Sequence, residues 1–341
     1  YEDYLRQPLS QREDGFSCLR GWSSSITLLE GGDGRRCPGG GYFLKWRDRG
    51  IVIDPGFDFI DNFHDAGFKG MEIDAVLVSH NHSDHNYDLR SLDDLRYEIH
   101  RRWVTKKKDH PDLDLSKCLF AVDCDTFHTI RTERSDHRDS PLQLDRAHWE
   151  HQLWLQQLND LPVTVEHFPI GEHHGKDVPN GVGLRLRLHD NEGGEDFVFG
   201  YTGDTEYFEE LADHLKGCDV LLAHISMPEP KEFDDPTVLK PRHLGYNGLI
   251  RLINETKPKL TLVGEFWAGL SDLRVDLIRG IRRKTGNQAV FPTGLGFHLR
   301  LPSLEVECSN CGDAIPHDKI KIAPAVTPFG PLGYLCSRCL T

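Results

Sequence analysis

The sequence predicts an α/β fold, with sheets covered by helices. Short apolar runs, sized for buried strands, alternate with segments of helical period. Several of these runs end directly in His, Asp or Glu, where open α/β sheets place their ligands. The chain has 341 residues, enough for one large domain plus a small one.

The elements follow in order. "SITLLE" (25–30) and "YFLKW" (42–46) read as strands around a glycine-rich stretch, residues 31–41. "GIVIDPG" (50–56) is a buried strand ending in an Asp-Pro-Gly turn, and residues 57–67 have helical spacing with a glycine stop. "DAVLVSH" (74–80) is a continuous apolar run, the pattern of a strand buried on both faces. Residues 88–102 read as a helix. Residues 103–160 are polar and histidine-rich, with a basic run at 101–110, and read as an insertion: a cap or a homodimer contact. Strands return at 163–168, 182–190, 196–204, 218–226 and 258–266, with helices at 206–215, 243–257 and 271–284.

Composition narrows the function. Hydrophobic residues make up 38% and charged residues 28%, as in ordinary globular proteins. No apolar stretch reaches membrane-span length and no export signal is apparent, so no membrane role is expected. The net charge of −14 argues against non-specific polyanion binding. It leaves room for a small phosphorylated substrate held at a metal centre. Of nine cysteines, five are scattered singly, which fits a reducing, cytoplasmic setting better than a disulfide framework.

The chemistry concentrates at "SHNHSDH", where His80, His82, Asp84 and His85 follow the buried strand. Imidazoles and a carboxylate at this spacing suit divalent zinc or manganese. Further groups of the same kind end later strands: His173 and His174, Asp204 in "YTGDT", His224, His243 in "RHLGYNG" and Glu265 in "VGEF".

This ordered series resembles the metallo-β-lactamase fold, over about residues 20–300. The resemblance implies an αββα sandwich and a centre for two divalent ions, zinc or manganese. It implies that His80, His82 and one of His173/His174 hold one ion, that Asp84 and His85 hold the other, and that Asp204 bridges. Glu265 stands where the family usually has a histidine, with His224 or His243 as alternatives for that role. The text around His224 and His243 is similar to that of transfer-RNA 3′-processing nucleases. This makes His243 the candidate general acid, at a predicted helix start, and Asp84 and His243 the expected catalytic residues.

At the C-terminus, Cys308-x-x-Cys311 and Cys336-x-x-Cys339, 24 residues apart, form a four-thiolate zinc-ribbon pattern. The expected organisation is a hydrolase domain over residues 1–303 and a ribbon over 304–341 holding one structural zinc. The ribbon's few basic residues favour a structural role or a protein partner. The expected activity is phosphodiester hydrolysis, as phosphodiesterase or nuclease, through a metal-bridging hydroxide. A lactone, thioester or other small ester or amide is the alternative substrate, and a metal-binding scaffold subunit the alternative from another class.

Overall fold

The computed structural model describes residues 2–5, 7–21, 39–106, 108, 118–133, 142–144, 161–190, 193–266, 273–327 and 330–340. The strand expected at 25–30 lies outside them.

Two sheets face each other. The first is built from β1 (Gly15–Cys18), β2 (Tyr42–Trp46), β3 (Arg49–Ile53), β4 (Ala75–Val78), β5 (Leu119–Asp123) and β6 (Leu142–Leu144). The second contains β7 (Val163–Pro169), β8 (Val182–Leu188), β9 (Phe197–Tyr201), β10 (Val220–His224), β11 (Leu260–Gly264) and β12 (Val290–Pro292). The first sheet then gains β13 (His298–Arg300), β14 (Glu305–Glu307) and β15 (Ala314–Pro316) beside β1. A separate hairpin pairs β16 (Lys321–Thr327) with β17 (Gly330–Leu335).

Alternation along the strands explains the layers. Ile51, Ile53, Leu77, Leu222 and Leu262 point into one core between the sheets. Their neighbours Val52, Val76 and Val78 pack with Phe59, Phe63, Leu89 and Leu92 of the helices on the outer face. Leu221, Ala223 and Val263 pack likewise against helices holding Leu211, Leu249 and Ile278. Each strand of this kind is apolar on both faces, which is why it reads as an unbroken hydrophobic run. The result is the expected αββα sandwich.

Three elements differ locally from expectation. The helix expected at 88–102 runs over Leu89–Lys106. Within the stretch read as an insertion, Leu119–Asp123 is a strand paired in parallel with β4, followed by helix Cys124–Glu133. Its apolar run is only four residues long and sits in polar text, so it carries little signal. The helix expected to open at His243 instead spans Tyr246–Thr256. The Glu232 carboxylate accepts the Asn247 N–H at 3.0 Å, capping that helix from outside.

Candidate metal centre

Strand ends place the site's residues. Asp54 follows β3, His80 follows β4, Asp204 follows β9, and His224 ends β10. The parallel register of β10 and β11 sets His224 beside Gly264, so Glu265 emerges next to His224. At Gly203, φ is +59°, a turn that glycine adopts without strain and that delivers Asp204. At Gly56 a Cβ would overlap the Asp84 carbonyl. Glycine there lets the Asp-Pro-Gly turn press against the His-rich loop.

One group of ligand atoms comprises His80 Nε2, His82 Nδ1 and His174 Nε2. The first pair lies 3.1 Å apart and the second 3.3 Å. Their outward nitrogens settle the tautomers. Ser79 Oγ donates to Asp54 Oδ2 at 2.6 Å, so it accepts from His80 Nδ1 at 3.0 Å. His82 Nε2 donates to Asp177 Oδ2 at 2.9 Å, and His174 Nδ1 to the Arg242 carbonyl at 3.0 Å. Three lone pairs therefore face one another. Without a cation that arrangement is repulsive. Around one ion with metal–nitrogen bonds of about 2.0 Å, tetrahedral ligand atoms lie roughly 3.3 Å apart, which these residues match. Burial, with the His85 charge beside it, pushes the His80 imidazole well below its ordinary pKa, keeping it neutral as a ligand must be.

The second group comprises His85, Asp204, His224 and Glu265, all buried, with ligand atoms within 4.8 Å of one another. His85 Nδ1 donates to Asp54 Oδ2 at 2.8 Å, which turns Nε2 inward. Burial opposes charge there, but the carboxylates, Glu265 foremost, push the imidazole well above its ordinary pKa, so a divalent ion bound there would displace the Nε2 proton. That Nε2 is buried without a hydrogen-bond partner. It lies 3.6 Å from Asp84 Oδ2, 3.6 Å from Asp204 Oδ2 and 3.5 Å from Glu265 Oε2. An orphaned imidazole nitrogen facing three carboxylates fits a divalent ion. His224 Nδ1 lies 2.8 Å from both Asp204 Oδ1 and Glu265 Oε2. Burial opposes charge on Asp204 and Glu265. The cations around them, His85 for Asp204 and Arg20 for Glu265, outweigh it and hold both carboxyls well below their usual range.

Asp204 also groups with His174 and His243, so it stands between the two clusters. His243 Nδ1 is 3.8 Å from Asp204 Oδ2, and its side chain is 35% exposed. His173 lies outside both clusters. Its ring stacks on Phe208 with centroids 3.9 Å apart, and Nδ1 faces Glu206 Oε1 at 3.6 Å. The 3-10 turn Gly171–His173 turns adjacent histidines to opposite sides.

Beneath the second cluster lies a shell that motif reading misses. Asp54 accepts from Ser79 N–H at 2.7 Å, Tyr201 OH at 2.5 Å and His85. Tyr42 OH is 2.6 Å from His224 Nε2. The available signal was a carboxylate ending the buried strand "GIVID". The tyrosines resemble ordinary core residues.

In a separate group, Cys308, Cys311, Cys336 and Cys339 bring their sulfurs within 4.8 Å of one another. The Cys311–Cys336 Sγ separation of 3.8 Å is far beyond a disulfide. It equals the edge of a tetrahedron with zinc–sulfur bonds of about 2.3 Å. The Cys336 N–H donates to Cys308 Sγ at 3.4 Å.

Two sheets between helices, with His and carboxylate clusters gathered at their strand ends, define a metallohydrolase of the metallo-β-lactamase fold. The chain belongs to the beta-lactamase superfamily, whose domain matches residues 49–264. Arg20, Glu265 and the four cysteines lie outside that span. MJ1374 of Methanocaldococcus jannaschii is 24% identical over 264 residues, covering 77% of this chain and 87% of the relative. A diphosphatase of the PhnP family superposes with TM-score 0.54 at 14% identity, covering 85% of this chain and 98% of that one. Human tRNase Z, short form, superposes with TM-score 0.51 at 13% identity, covering 84% and 99%. Among the described residues no helix is long and apolar enough to cross a membrane.

Proposed function

We propose that this hydrolase is dinuclear and cleaves phosphodiesters, as a phosphodiesterase or nuclease. The observation that carries the reading is the pair of ligand clusters meeting at Asp204. His80, His82 and His174 would hold one ion. Asp84, His85, His224 and Glu265 would hold the other, with Asp204 shared. Two bound divalent ions, zinc or manganese, supply Lewis acidity toward a phosphoryl oxygen and an activated water near neutral pH.

The chain's own residues complete the chemistry. Most of the cluster is buried, whereas His82 and His243 are about one-third exposed, so substrate enters on their side. His243 stands where an imidazole can hold a proton for the leaving oxygen. Asp54, Ser79 and Arg242 fix ligand tautomers through hydrogen bonds, and such outer contacts govern metal affinity. The likeness to a PhnP-family diphosphatase and to tRNase Z supports phosphodiesters over lactones or thioesters. The net charge of −14 favours small nucleotides over long polymers. One structural zinc at the four cysteines would complete the C-terminal ribbon, whose outer face would serve a protein partner.

The test is hydrolysis of a mixed panel by the purified chain with Zn²⁺ or Mn²⁺: RNA, DNA, cyclic nucleotides, lactones and thioesters. An Asp84→Ala, His85→Ala double variant runs beside it. Phosphodiester turnover lost in that variant is expected. Turnover confined to lactones or thioesters would sink the reading. Silence on every class with metal bound would favour a scaffold subunit.

A further inference from the structure

The second cluster contains one group that metal ligation alone does not require. Arg20 lies two residues after β1, and its side chain is 1% exposed. Nη1 is 3.1 Å from Glu265 Oε2. Nη2 donates to the Asp84 backbone carbonyl at 3.0 Å and lies 3.9 Å from Asp84 Oδ2. The guanidinium carbon is 5.8 Å from the centroid of the Tyr42 ring, and the Tyr42 hydroxyl meets His224.

A fully buried guanidinium is costly unless its partners are well placed. Here the partners come from separate parts of the chain, the short helix Ser83–Asn86 after β4 and the residue after β11. Glu265 also has φ 51°, a left-handed conformation that non-glycine residues hold only when their surroundings enforce it. The guanidinium reaches both partners at once, Nη2 through a hydrogen bond to the Asp84 carbonyl and Nη1 as an ion pair with Glu265 that lacks hydrogen-bond geometry. A lysine ammonium on one flexible stem cannot reproduce that geometry.

We propose that Arg20 is a positioning residue for the second metal ion. One fork fixes the Glu265 carboxylate and the Asp84 turn relative to each other, and so sets the affinity of that ion. The inference rests on the dinuclear reading above.

The test is a Mn²⁺ titration of the full-length protein, with its C-terminal zinc left in place, followed through the EPR signal of free Mn²⁺. Two Mn²⁺ per chain are expected for the unmodified protein. Arg20→Gln should keep the first ion and bind the second at least tenfold more weakly, with Arg20→Lys in between. In a Glu265→Gln background, Arg20→Gln should add less than a further twofold loss, because the carboxylate it positions is already gone. An unchanged second ion in Arg20→Gln overturns the proposal. So does an equally large loss in the Glu265→Gln background, since a merely structural role would produce that. If circular dichroism shows Arg20→Gln unfolded, Arg20→Lys carries the comparison, and full second-ion affinity there overturns it. Fewer than two Mn²⁺ on the unmodified chain would instead overturn the dinuclear reading, and this inference with it.

Discussion

Asp54 accepts the Nδ1 proton of His85 at 2.8 Å, and neither side chain is exposed to solvent. This one bond turns His85 Nε2 toward Asp84, Asp204 and Glu265. Removing such an outer partner typically weakens metal binding about 10- to 100-fold. Asp54→Ala is expected to weaken the second ion by that factor in a Mn²⁺ titration, while the first ion is less affected. Equal weakening of both ions would contradict this division of labour.

Adjacent histidines offer a direct contrast. His174→Ala removes a member of the first cluster, whereas His173→Ala removes a ring stacked on Phe208. The first variant should lose one core metal ion by elemental analysis, and with it nearly all turnover. The second should keep both ions and activity within a few-fold. The reverse result would move the ligand role to His173.

His243 lies beside the clusters, at their exposed rim. General acid catalysis contributes about 10²- to 10⁴-fold, so His243→Gln should lower kcat by that range and leave metal content unchanged. A leaving group that needs no protonation, such as p-nitrophenolate, should shrink the defect. A defect equal for good and poor leaving groups would argue for a binding role.

The four-cysteine cluster is held to the sandwich by Tyr334, whose hydroxyl donates to the Pro292 carbonyl at 2.7 Å and whose ring packs on Phe297. Cys336→Ser should cost one zinc per chain and lower the thermal midpoint, because a closed thiolate site contributes folding free energy. The core ions should remain. Retention of the same total zinc would refute a ribbon site.

His298 is buried between β1 and β14, with Nδ1 2.7 Å from Ser17 Oγ. Burial, together with the Arg12 and Arg300 guanidiniums, lowers its pKa to about 3. An unfolded histidine titrates near 6.5. Between those values the unfolded chain binds the proton and the folded chain does not, so stability rises with pH through that window. It is level, for this group, above about 6.5. His298→Gln should flatten the denaturation midpoint against pH between roughly 4 and 6. An unchanged slope would assign that acid sensitivity to other groups.

Much of this organisation was legible in the sequence, for identifiable reasons. Strands such as "DAVLVSH" are buried on both faces, so their apolar text is continuous and their polar ends stand out. The four cysteines carry their spacing on the page. The different surroundings of His173 and His174 were not legible, because a single turn of 3-10 helix sets them. Arg20 was invisible for another reason. An isolated arginine after a short strand has no spacing to its partners, which lie 64 and 245 positions away. Leu119–Asp123 was hidden by its polar neighbours, and its strand character comes from pairing with β4.

The two clusters also draw on both sheets. His80, His82 and His85 leave the first sheet, while His174, Asp204, His224 and Glu265 leave the second. Neither half of the sandwich can assemble the centre alone, and its members span 185 positions of chain. An ion bound at either cluster would therefore need both leaves in place. An ion bound across them stabilises the closed arrangement in proportion to its free concentration. If the centre holds its ions as proposed, the protein's durability and its chemistry would draw on the same pool of metal, and a cell short of that metal would lose both together.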